Sequence, residues 1–281
     1  MALRNLIRAC THGYGKRYLS NEVKLLSVSV NDKTGVATVE MQRPPVNSLN
    51  LDLINEISAT LTDLENNNSR GLILTSKKDG VFSAGLDILE MYKPEQERLK
   101  AFWISLQDTW LKLYGSSYPT VALINGHSPA GGCLLSLCCE YRIMLKNYTI
   151  GLNETQLGIV APKWFIKSMV NVIGLRQAEL GLMQGYMFST DEALKIGMID
   201  VIVDNKEGGL IEADAYLQRF AKILPGPRSL TKTYIREESI KFMEDIREDD
   251  LERFLLYTNQ PAVQAGLGKY IESLKKRSSK N

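Results

Sequence analysis

Three short segments of this 281-residue chain combine glycine with small residues where a buried strand is expected to end. They are "FSAGLD" (82–87), "SPAGGC" (128–133) and "GLNETQLG" (151–158). Glycine allows one backbone to approach another closely, and α/β folds bind ligands beyond the ends of their strands. Taken singly, the first segment could be only a turn and the second only a tightly packed helix start. Taken together, the three segments predict a ligand site built largely from backbone groups.

Two of these segments can supply backbone N–H donors. Gly131 begins an apolar stretch typical of a helix, and the free N–H groups and dipole of a helix N-terminus favour negative charge. A second N–H near Ala84 could converge with it on one oxygen atom. Two N–H donors on one oxygen form an oxyanion hole, which stabilises an enolate or a tetrahedral intermediate.

Glu154, in the third segment, is the candidate acid/base. No basic residue occurs between Lys146 and Lys163 to neutralise its charge. In a poorly solvated pocket its pKa would rise towards neutrality, where a carboxylate can take up and return a proton. The alternative is a loop glutamate that points into water, with Asn153 and Thr155 supporting a turn. The residues alone leave both interpretations open.

Other catalytic machinery has little support in the sequence. Only two histidines occur, and His127, beside Ser128, lacks the G-x-S-x-G elbow of a serine hydrolase. We therefore interpret His127 as a loop or pocket-edge residue. With so few histidines and no cysteine pairs, we expect no metal site, and the two common phosphate-binding glycine loops are absent.

The elements around these segments alternate between strands and helices. An amphipathic helix, capped by Asn50 or Ser48, follows the second strand, and a longer helix extends to about residue 114. The predicted strands lie at "VKLLSVSV", "GVATVEMQ", "GLILTS" (71–76), "PTVALING" (119–126), "YRIML", "YTIGL" and "MIDVIVD".

Aromatic residues of the longer helix are expected in the core, although they could also form the wall of an apolar pocket. These residues are Phe102, Trp103 and Trp110.

Helices dominate the C-terminal part of the chain. Ser189 and Glu192 predict a capping box, and Gly197 predicts the end of that short helix. The last strand is followed by helices predicted near 208–223, 227–240, 243–257 and 261–276. This order indicates an α/β core with a C-terminal α-helical extension, which could cover the core or form subunit contacts.

The first twenty residues differ in charge from the remainder of the chain. They contain Arg4, Arg8, Lys16 and Arg17, and the first carboxylate is Glu22. This pattern predicts a mitochondrial targeting presequence, with a disordered basic tail as the alternative. The remaining chain is nearly neutral, which gives no support for nucleic-acid binding. No apolar run reaches the roughly 18–20 residues that a membrane span needs.

The cysteines outside that segment are Cys133, Cys138 and Cys139. Their spacing matches no zinc or C-x-x-C pattern, so we interpret them as small buried apolar residues. Unpaired thiols are consistent with a reducing compartment such as the mitochondrial matrix.

Longer motifs around the three segments resemble the crotonase (enoyl-CoA hydratase/isomerase) superfamily. The motifs are "GVFSAGLDI", "NGHSPAGGCLLSL" and "GLNETQLGIVAP", together with "RPPVNSLN" and "STDEALKIGMID". The resemblance extends from about residue 23 to 204 and is greatest to the isomerases of the superfamily. It implies a spiral of ββα units with C-terminal helices that mediate trimerisation. The domains expected are a presequence (1–20), a crotonase-like α/β core carrying the active site (21–204) and a C-terminal helical region (205–281).

The resemblance also implies roles for individual residues. The N–H groups of Ala84 and Gly131 would form the oxyanion hole, and Glu154 would be the catalytic base. No metal or separate cofactor is implied, because coenzyme A is part of the substrate. The residues that would line the acyl-CoA site are Ala84, Gly85, Leu86, Asp87, Ile88, Gly131 and Asn153.

One position distinguishes an isomerase from a hydratase within this resemblance. Hydratases use two glutamates to activate water, and Leu134 occupies the position of the first. Glu154 alone could move a proton from C2 to C4 of a 3-enoyl-CoA, which gives the 2-trans isomer needed in beta-oxidation of unsaturated fatty acids. A hydratase or other crotonase-type lyase, and a non-catalytic acyl-CoA-binding protein, remain the alternatives. Lys163 stands where an apolar residue is expected, so chain-length preference is left open.

Overall fold

A computed structural model describes residues 24–278, so the predicted targeting segment 1–20 lies outside the described residues. The described part contains ten strands and eight α-helices. The strands are β1 (Leu26–Val30), β2 (Val36–Met41), β3 (Gly71–Ser76), β4 (Gly80–Val81), β5 (Thr120–Ile124), β6 (Gly126–Pro129), β7 (Tyr141–Leu145), β8 (Thr149–Gly151), β9 (Phe188–Ser189) and β10 (Val201–Val203). The helices are α1 (Leu51–Asn66), α2 (Gln96–Gly115), α3 (Gly131–Cys138), α4 (Lys163–Gln184), α5 (Thr190–Lys195), α6 (Lys206–Gln218), α7 (Pro225–Thr258) and α8 (Pro261–Ser278).

The strands form two sheets. The larger sheet has the order β1-β2-β3-β5-β7-β10, with β1 antiparallel to β2 and all other neighbours parallel. The smaller sheet has the order β4-β6-β8-β9, in which β4, β6 and β8 are parallel and β9 is antiparallel to β8. The strands β4, β6 and β8 of the small sheet each follow a strand of the large one and lead towards a helix, whereas β9 follows α4. The units β3-β4-α2, β5-β6-α3 and β7-β8-α4 thus confirm the predicted ββα spiral.

Several local signals in the sequence form the elements that they predict. Every residue of β3 is buried, as expected for a strand covered on both faces. The Asn50 side chain caps α1 by accepting a hydrogen bond from the Leu53 N–H at 3.0 Å. Ser189 and Glu192 form the predicted capping box of α5, and Gly197, with φ of +76°, follows the end of that helix.

The segment "PTVALING", predicted as one strand, instead contributes to both sheets. Asn125 separates β5 from β6 and is almost fully buried. Its side-chain amide donates to the carbonyl oxygens of Ser76 at 2.9 Å and Lys78 at 3.1 Å. These hydrogen bonds satisfy carbonyl oxygens of the neighbouring β3–β4 connection, which also leaves the large sheet at this point.

The two helices predicted at 227–240 and 243–257 are one continuous helix, α7. No proline or glycine follows Pro227 before its end, so nothing in the sequence interrupts the helical hydrogen bonds. Ser239 and Met243, on either side of the expected break, are both buried against the rest of the chain.

One large core joins the sheets to the helices. The aromatic residues of α2 belong to it, as expected, and Trp103 and Trp110 each pack edge-on against Trp164 with ring centroids 5.9 Å apart. The three cysteines predicted to be buried are free and buried. No helix within residues 24–278 is long and apolar enough to cross a membrane.

The small sheet brings the three glycine segments to one place. The strands β4, β6 and β8 are parallel neighbours, so their carboxyl ends lie at the same edge. The segment 82–87 follows β4, Gly131 lies two residues after β6, and Glu154 lies three residues after β8. The predicted convergence of these segments therefore follows from the strand order.

We expect Gly126→Ala to destabilise the protein strongly. A methyl group at Gly126 would lie 2.0 Å from the Val81 nitrogen, so β4 and β6 could not pair as they do. The expected loss is at least about 1–3 kcal/mol in the free energy of unfolding, measured by chemical denaturation.

Gly266→Ala is the matched control, since nothing lies within 4 Å of a methyl group there. Because Gly266 lies within α8, alanine should leave the free energy of unfolding unchanged or raise it by about 0.5–1 kcal/mol. Equal stability of the Gly126→Ala variant and the native protein would contradict the proposed tight contact between β4 and β6.

Candidate active site

Two glycines allow the segment 82–87 to contact the start of α3. At Gly85, which has φ of +85°, an added methyl group would lie 2.9 Å from Ala130 Cβ and 3.3 Å from the Gly131 nitrogen. At Gly131, it would lie 3.3 Å from the Leu86 nitrogen. Any larger residue at either position would therefore separate the two backbones.

The backbone of Leu86 directs its N–H towards α3. Leu49 lies on the other side, where its N–H donates to the Gly85 carbonyl at 2.8 Å and its carbonyl accepts from the Asp87 N–H at 3.0 Å. In a parallel bridge of this kind, the residue between the two bonded groups points its own N–H away from the partner. No carbonyl of the described residues accepts a hydrogen bond from the Leu86 N–H.

The expectation that Ala84 supplies an oxyanion donor is wrong. The Ala84 N–H donates to the Val46 carbonyl at 3.0 Å, so it is already used within the fold. Leu86 takes its place by geometry, because its N–H is free and lies beside Gly131. The Gly131 N–H is the first of α3 and, within residues 24–278, has no acceptor either. The arrangement therefore offers Leu86 and Gly131 as the pair of donors.

A buried polar network fixes the loop that carries Leu86. The Ser83 hydroxyl donates to the Asn47 carbonyl at 2.7 Å and accepts from the Gly85 N–H at 3.2 Å. The Asn47 side-chain amide donates to the Ser76 hydroxyl at 2.7 Å and to the Phe82 carbonyl at 3.1 Å. Sequence reasoning missed this network, although the polar Asn47 after two prolines in "RPPVNSLN" was a possible signal.

A largely apolar cavity of about 430 Å³ opens beside these groups. Leu86 and Glu154 both line it, so the loop after β4 and the turn after β8 share one space. Helices α7 and α8 close much of the remaining wall, which means that the C-terminal region covers the site of its own chain. Large apolar residues that line the cavity include Trp103 of α2, Phe165 of α4, Ile246 and Phe254 of α7, and Val263 and Leu267 of α8.

The Glu154 carboxyl group is buried in this cavity wall without a hydrogen-bond partner. The residue is only 4% exposed, and neither carboxyl oxygen has a donor among the described residues. Burial raises its pKa to about 7, because removal from water disfavours the charged form. This environment excludes the alternative of a loop glutamate that points into water.

The turn that holds Glu154 is fixed from both sides. Glu154 begins a single 3-10 turn, and Gly158, with φ of +72°, ends it. The Thr155 hydroxyl donates to the Leu182 carbonyl of α4 at 2.8 Å. A methyl group at Gly151 would lie 2.3 Å from the Tyr186 carbonyl oxygen, so only glycine permits this approach.

No second base competes with Glu154. Leu134, at the position where a hydratase would have its first glutamate, is buried in the core. Asp249 and Asp250 also line the cavity, but Asp249 pairs with Arg253 at 2.7 Å and Asp250 accepts hydrogen bonds from α2 and α4. Within residues 24–278, Glu154 is thus the one cavity carboxylate without a donor or a cation.

The remaining predicted substrate-binding residues occupy different places. Leu86 lines the cavity, and Ile88 packs against the core. The Asp87 carboxylate accepts from the Leu89 N–H at 3.1 Å and pairs with Arg43 at 2.8 Å, so it stabilises the turn after the loop. Asn153 has a buried side-chain oxygen without a donor. Their roles in binding coenzyme A stay predictions.

In the part of the chain that the structure describes, no group of three or more histidine, cysteine or acidic residues could hold a metal ion. His127 lies in β6, where its Nδ1 is 3.0 Å from the Thr149 hydroxyl, and it does not line the cavity.

Comparison with known proteins agrees with the kind of site that the geometry indicates. The family model described as enoyl-CoA hydratase/isomerase matches residues 31–280. The chain is 43% identical to mitochondrial enoyl-CoA delta isomerase 1 of Mus musculus over 266 residues, which cover 94% of this chain and 91% of the relative. It is 40% identical to the Homo sapiens protein of the same name over 277 residues, with 98% and 91% coverage.

Solved structures share the fold. The crystal structure of human mitochondrial delta3-delta2-enoyl-CoA isomerase matches with a TM-score of 0.87 and 40% identity, covering 90% of this chain and 99% of that one. An enoyl-CoA hydratase from Bacillus halodurans matches with a TM-score of 0.80 at 22% identity, covering 88% and 100%, which is evidence for the fold alone. The chain therefore belongs to the enoyl-CoA hydratase/isomerase family.

Proposed function

We propose that this chain is an enoyl-CoA isomerase that converts 3-cis or 3-trans enoyl-CoA to the 2-trans isomer. The observation that carries the proposal is the unpartnered Glu154 carboxyl group in an apolar cavity that Leu86 also lines. Relatives that bear the name of a delta isomerase are 40–43% identical over nearly the whole chain, which supports the same reaction here.

The reaction needs one proton acceptor and one site for negative charge. Glu154 removes a proton from C2 of the substrate, and the electron pair of that C–H bond moves towards the thioester oxygen. The N–H groups of Leu86 and Gly131 stabilise the resulting dienolate oxygen. Glu154 then returns the proton to C4, which shifts the double bond from C3–C4 to C2–C3. The glutamate must approach each carbon to about 3 Å in turn.

The apolar wall favours this proton transfer over addition of water. A dienolate in a cavity that excludes water is protected from quenching by solvent. Activation of water would require a second carboxylate near Glu154, and Leu134 removes that possibility on α3. An enoyl-CoA hydratase or another crotonase-type lyase remains the second candidate, and a non-catalytic acyl-CoA-binding protein is the third.

The cellular setting follows from the same relationships. We infer a mitochondrial location, because the curated relatives are named mitochondrial, and the matrix as the compartment, because residues 1–20 have presequence character. The 2-trans product fits beta-oxidation of unsaturated fatty acids.

We further propose a homotrimer, with region 205–281 providing both cover and subunit contacts. We propose no cofactor beyond the coenzyme A of the substrate.

Glu154→Gln should lower kcat for isomerisation of 3-cis and 3-trans enoyl-CoA by about 10²–10⁴-fold, because the amide cannot accept the C2 proton. Affinity for a saturated acyl-CoA should change little, since the shape of the side chain is retained. Asp249→Asn, which changes an exposed carboxylate in the same cavity, is the control and should retain activity. Full activity of Glu154→Gln would refute the assignment of the base.

A parallel assay separates the candidate functions. Loss of enoyl-thioester absorbance with crotonyl-CoA measures hydration, which we expect to be slow relative to isomerisation. Fast hydration would favour the hydratase. Thermal stabilisation by acyl-CoA without turnover of any enoyl-CoA would favour the non-catalytic protein.

We expect kcat/KM for isomerisation to rise with pH around a midpoint near 7. Glu154 acts as a base only when ionised, and burial raises its pKa to about 7. A pH–rate profile with the free enzyme at low substrate concentration measures this value. A midpoint near 4.5, the ordinary glutamate value, would mean that the carboxylate is solvated.

Glu154→Gln should also stabilise the protein at alkaline pH. Because the native pKa lies above the unfolded value of 4.5, the native state binds the proton more tightly, and stability falls as pH rises from 4.5 to 7. Glutamine avoids this cost, so the variant should gain roughly 3 kcal/mol over the native protein at pH 8 and almost nothing near pH 4.5. Denaturant titrations at both pH values test the difference, and a gain independent of pH would contradict it.

A further inference from the structure

One carboxylate in the cavity wall joins three helices. The Asp250 Oδ2 atom of α7 accepts hydrogen bonds from Trp103 Nε1 at 2.7 Å, Gln107 Nε2 at 2.9 Å and Trp164 Nε1 at 3.1 Å. The first two donors belong to α2 and the third to α4. The Gln107 amide also donates to the Arg247 carbonyl one turn earlier on α7 at 3.1 Å.

The two buried indole N–H groups have few possible hydrogen-bond acceptors. An indole nitrogen can only donate, and Trp103 and Trp164 are at most 2% exposed, so each needs an acceptor inside the protein. Asp250 takes part in none of the ion pairs formed among residues 24–278. The Asp250 carboxylate is therefore stabilised by neutral N–H groups. Because these donors belong to α2 and α4 and meet at one oxygen of α7, they fix the position of α7.

The same residues form part of the acyl cavity. Trp103, Asp250 and Phe254 all line it, and the rings of Trp103 and Phe254 are stacked 3.6 Å apart with an angle of 7° between their planes. Phe254 follows Asp250 by one helical turn, so both side chains lie on the same face of α7. A movement of α7 away from α2 would open this wall.

We propose that Asp250 is a positioning residue that sets the acyl-chain selectivity of the cavity by holding α7 against α2 and α4. The proposal rests on the proposed function, since it takes an acyl-CoA as the occupant. Asp250 does not touch the reacting carbons in this role. It keeps the wall of Trp103 and Phe254 closed, so loss of the hydrogen bonds lets the cavity accept longer chains and bind shorter ones less well.

The test compares Asp250→Leu, which removes the acceptor oxygen and keeps the size of the side chain, with Asp245→Leu in the full-length protein. Asp245 is an exposed carboxylate on the same helix that does not line the cavity, which makes it a chemically matched control. Dissociation constants are measured for hexanoyl-, decanoyl- and tetradecanoyl-CoA, together with kcat and KM for 3-enoyl-CoAs of the same lengths. Tryptophan emission reports whether water reaches the indole N–H groups.

For Asp250→Leu, we expect the ratio of tetradecanoyl-CoA to hexanoyl-CoA affinity to rise by on the order of tenfold, with KM following and kcat changing less. The emission should shift to longer wavelength. Asp245→Leu should leave the ratio and the emission unchanged. An equal loss for every chain length, with the native selectivity retained, would overturn the proposal and leave Asp250 a purely structural residue.

Gln107→Leu provides a second variant in case Asp250→Leu does not fold. Gln107 is buried outside the cavity lining, so its loss removes one donor without changing the wall directly. A smaller shift of selectivity in the same direction supports the proposal, and no shift in a folded variant contradicts it. If the native protein binds acyl-CoAs but turns over no enoyl-CoA, the proposed function fails while the affinity ratios still decide the role of Asp250.

Discussion

A carboxyl group without a hydrogen-bond donor is the constraint on which the rest of this structure depends. Protein interiors normally satisfy buried polar atoms, and both oxygens of Glu154 are exceptions. The fold tolerates this arrangement because the neighbouring turn is fixed by Gly158 and by the Thr155 hydrogen bond to α4. The instability of the charged form is what makes the group a base near neutral pH, so the chemistry and the cost in stability have the same physical origin.

The donors opposite this carboxyl group depend on close backbone contact. Gly85 and Gly131 allow the loop after β4 to approach the start of α3, and Leu49 on the far side orients the Leu86 N–H towards them. The small sheet makes this possible, since its parallel strands end at one edge. Much of the cavity wall opposite comes from α7 and α8, which follow the core in sequence, and α2 and α4 contribute Trp103 and Phe165 to it.

Much of the fold could be predicted from local sequence signals, whereas the details of the site depended on distant partners. Strand β3, the Asn50 cap and the convergence of the glycine segments were correct, because burial, capping and strand order are visible locally. The prediction of Ala84 as an oxyanion donor was wrong. Which N–H in this loop stays free depends on pairing with Val46 and Leu49, some 40 positions earlier in the chain. The environment of Glu154 likewise required the tertiary packing of α3 and α4. The very short strands β4 and β6 carry too few residues for a recognisable period.

Infrared difference spectroscopy of the native protein against Glu154→Gln tests the central claim most directly. The difference isolates the carbonyl stretch of one protonated carboxylic acid, which disappears as that group ionises. We expect this band to titrate with a midpoint near 7 and at the high frequency of a carboxyl group without hydrogen bonds. A band that disappears near pH 4.5, at the frequency of a solvated acid, would show that Glu154 is exposed to water and would contradict its role as a desolvated base.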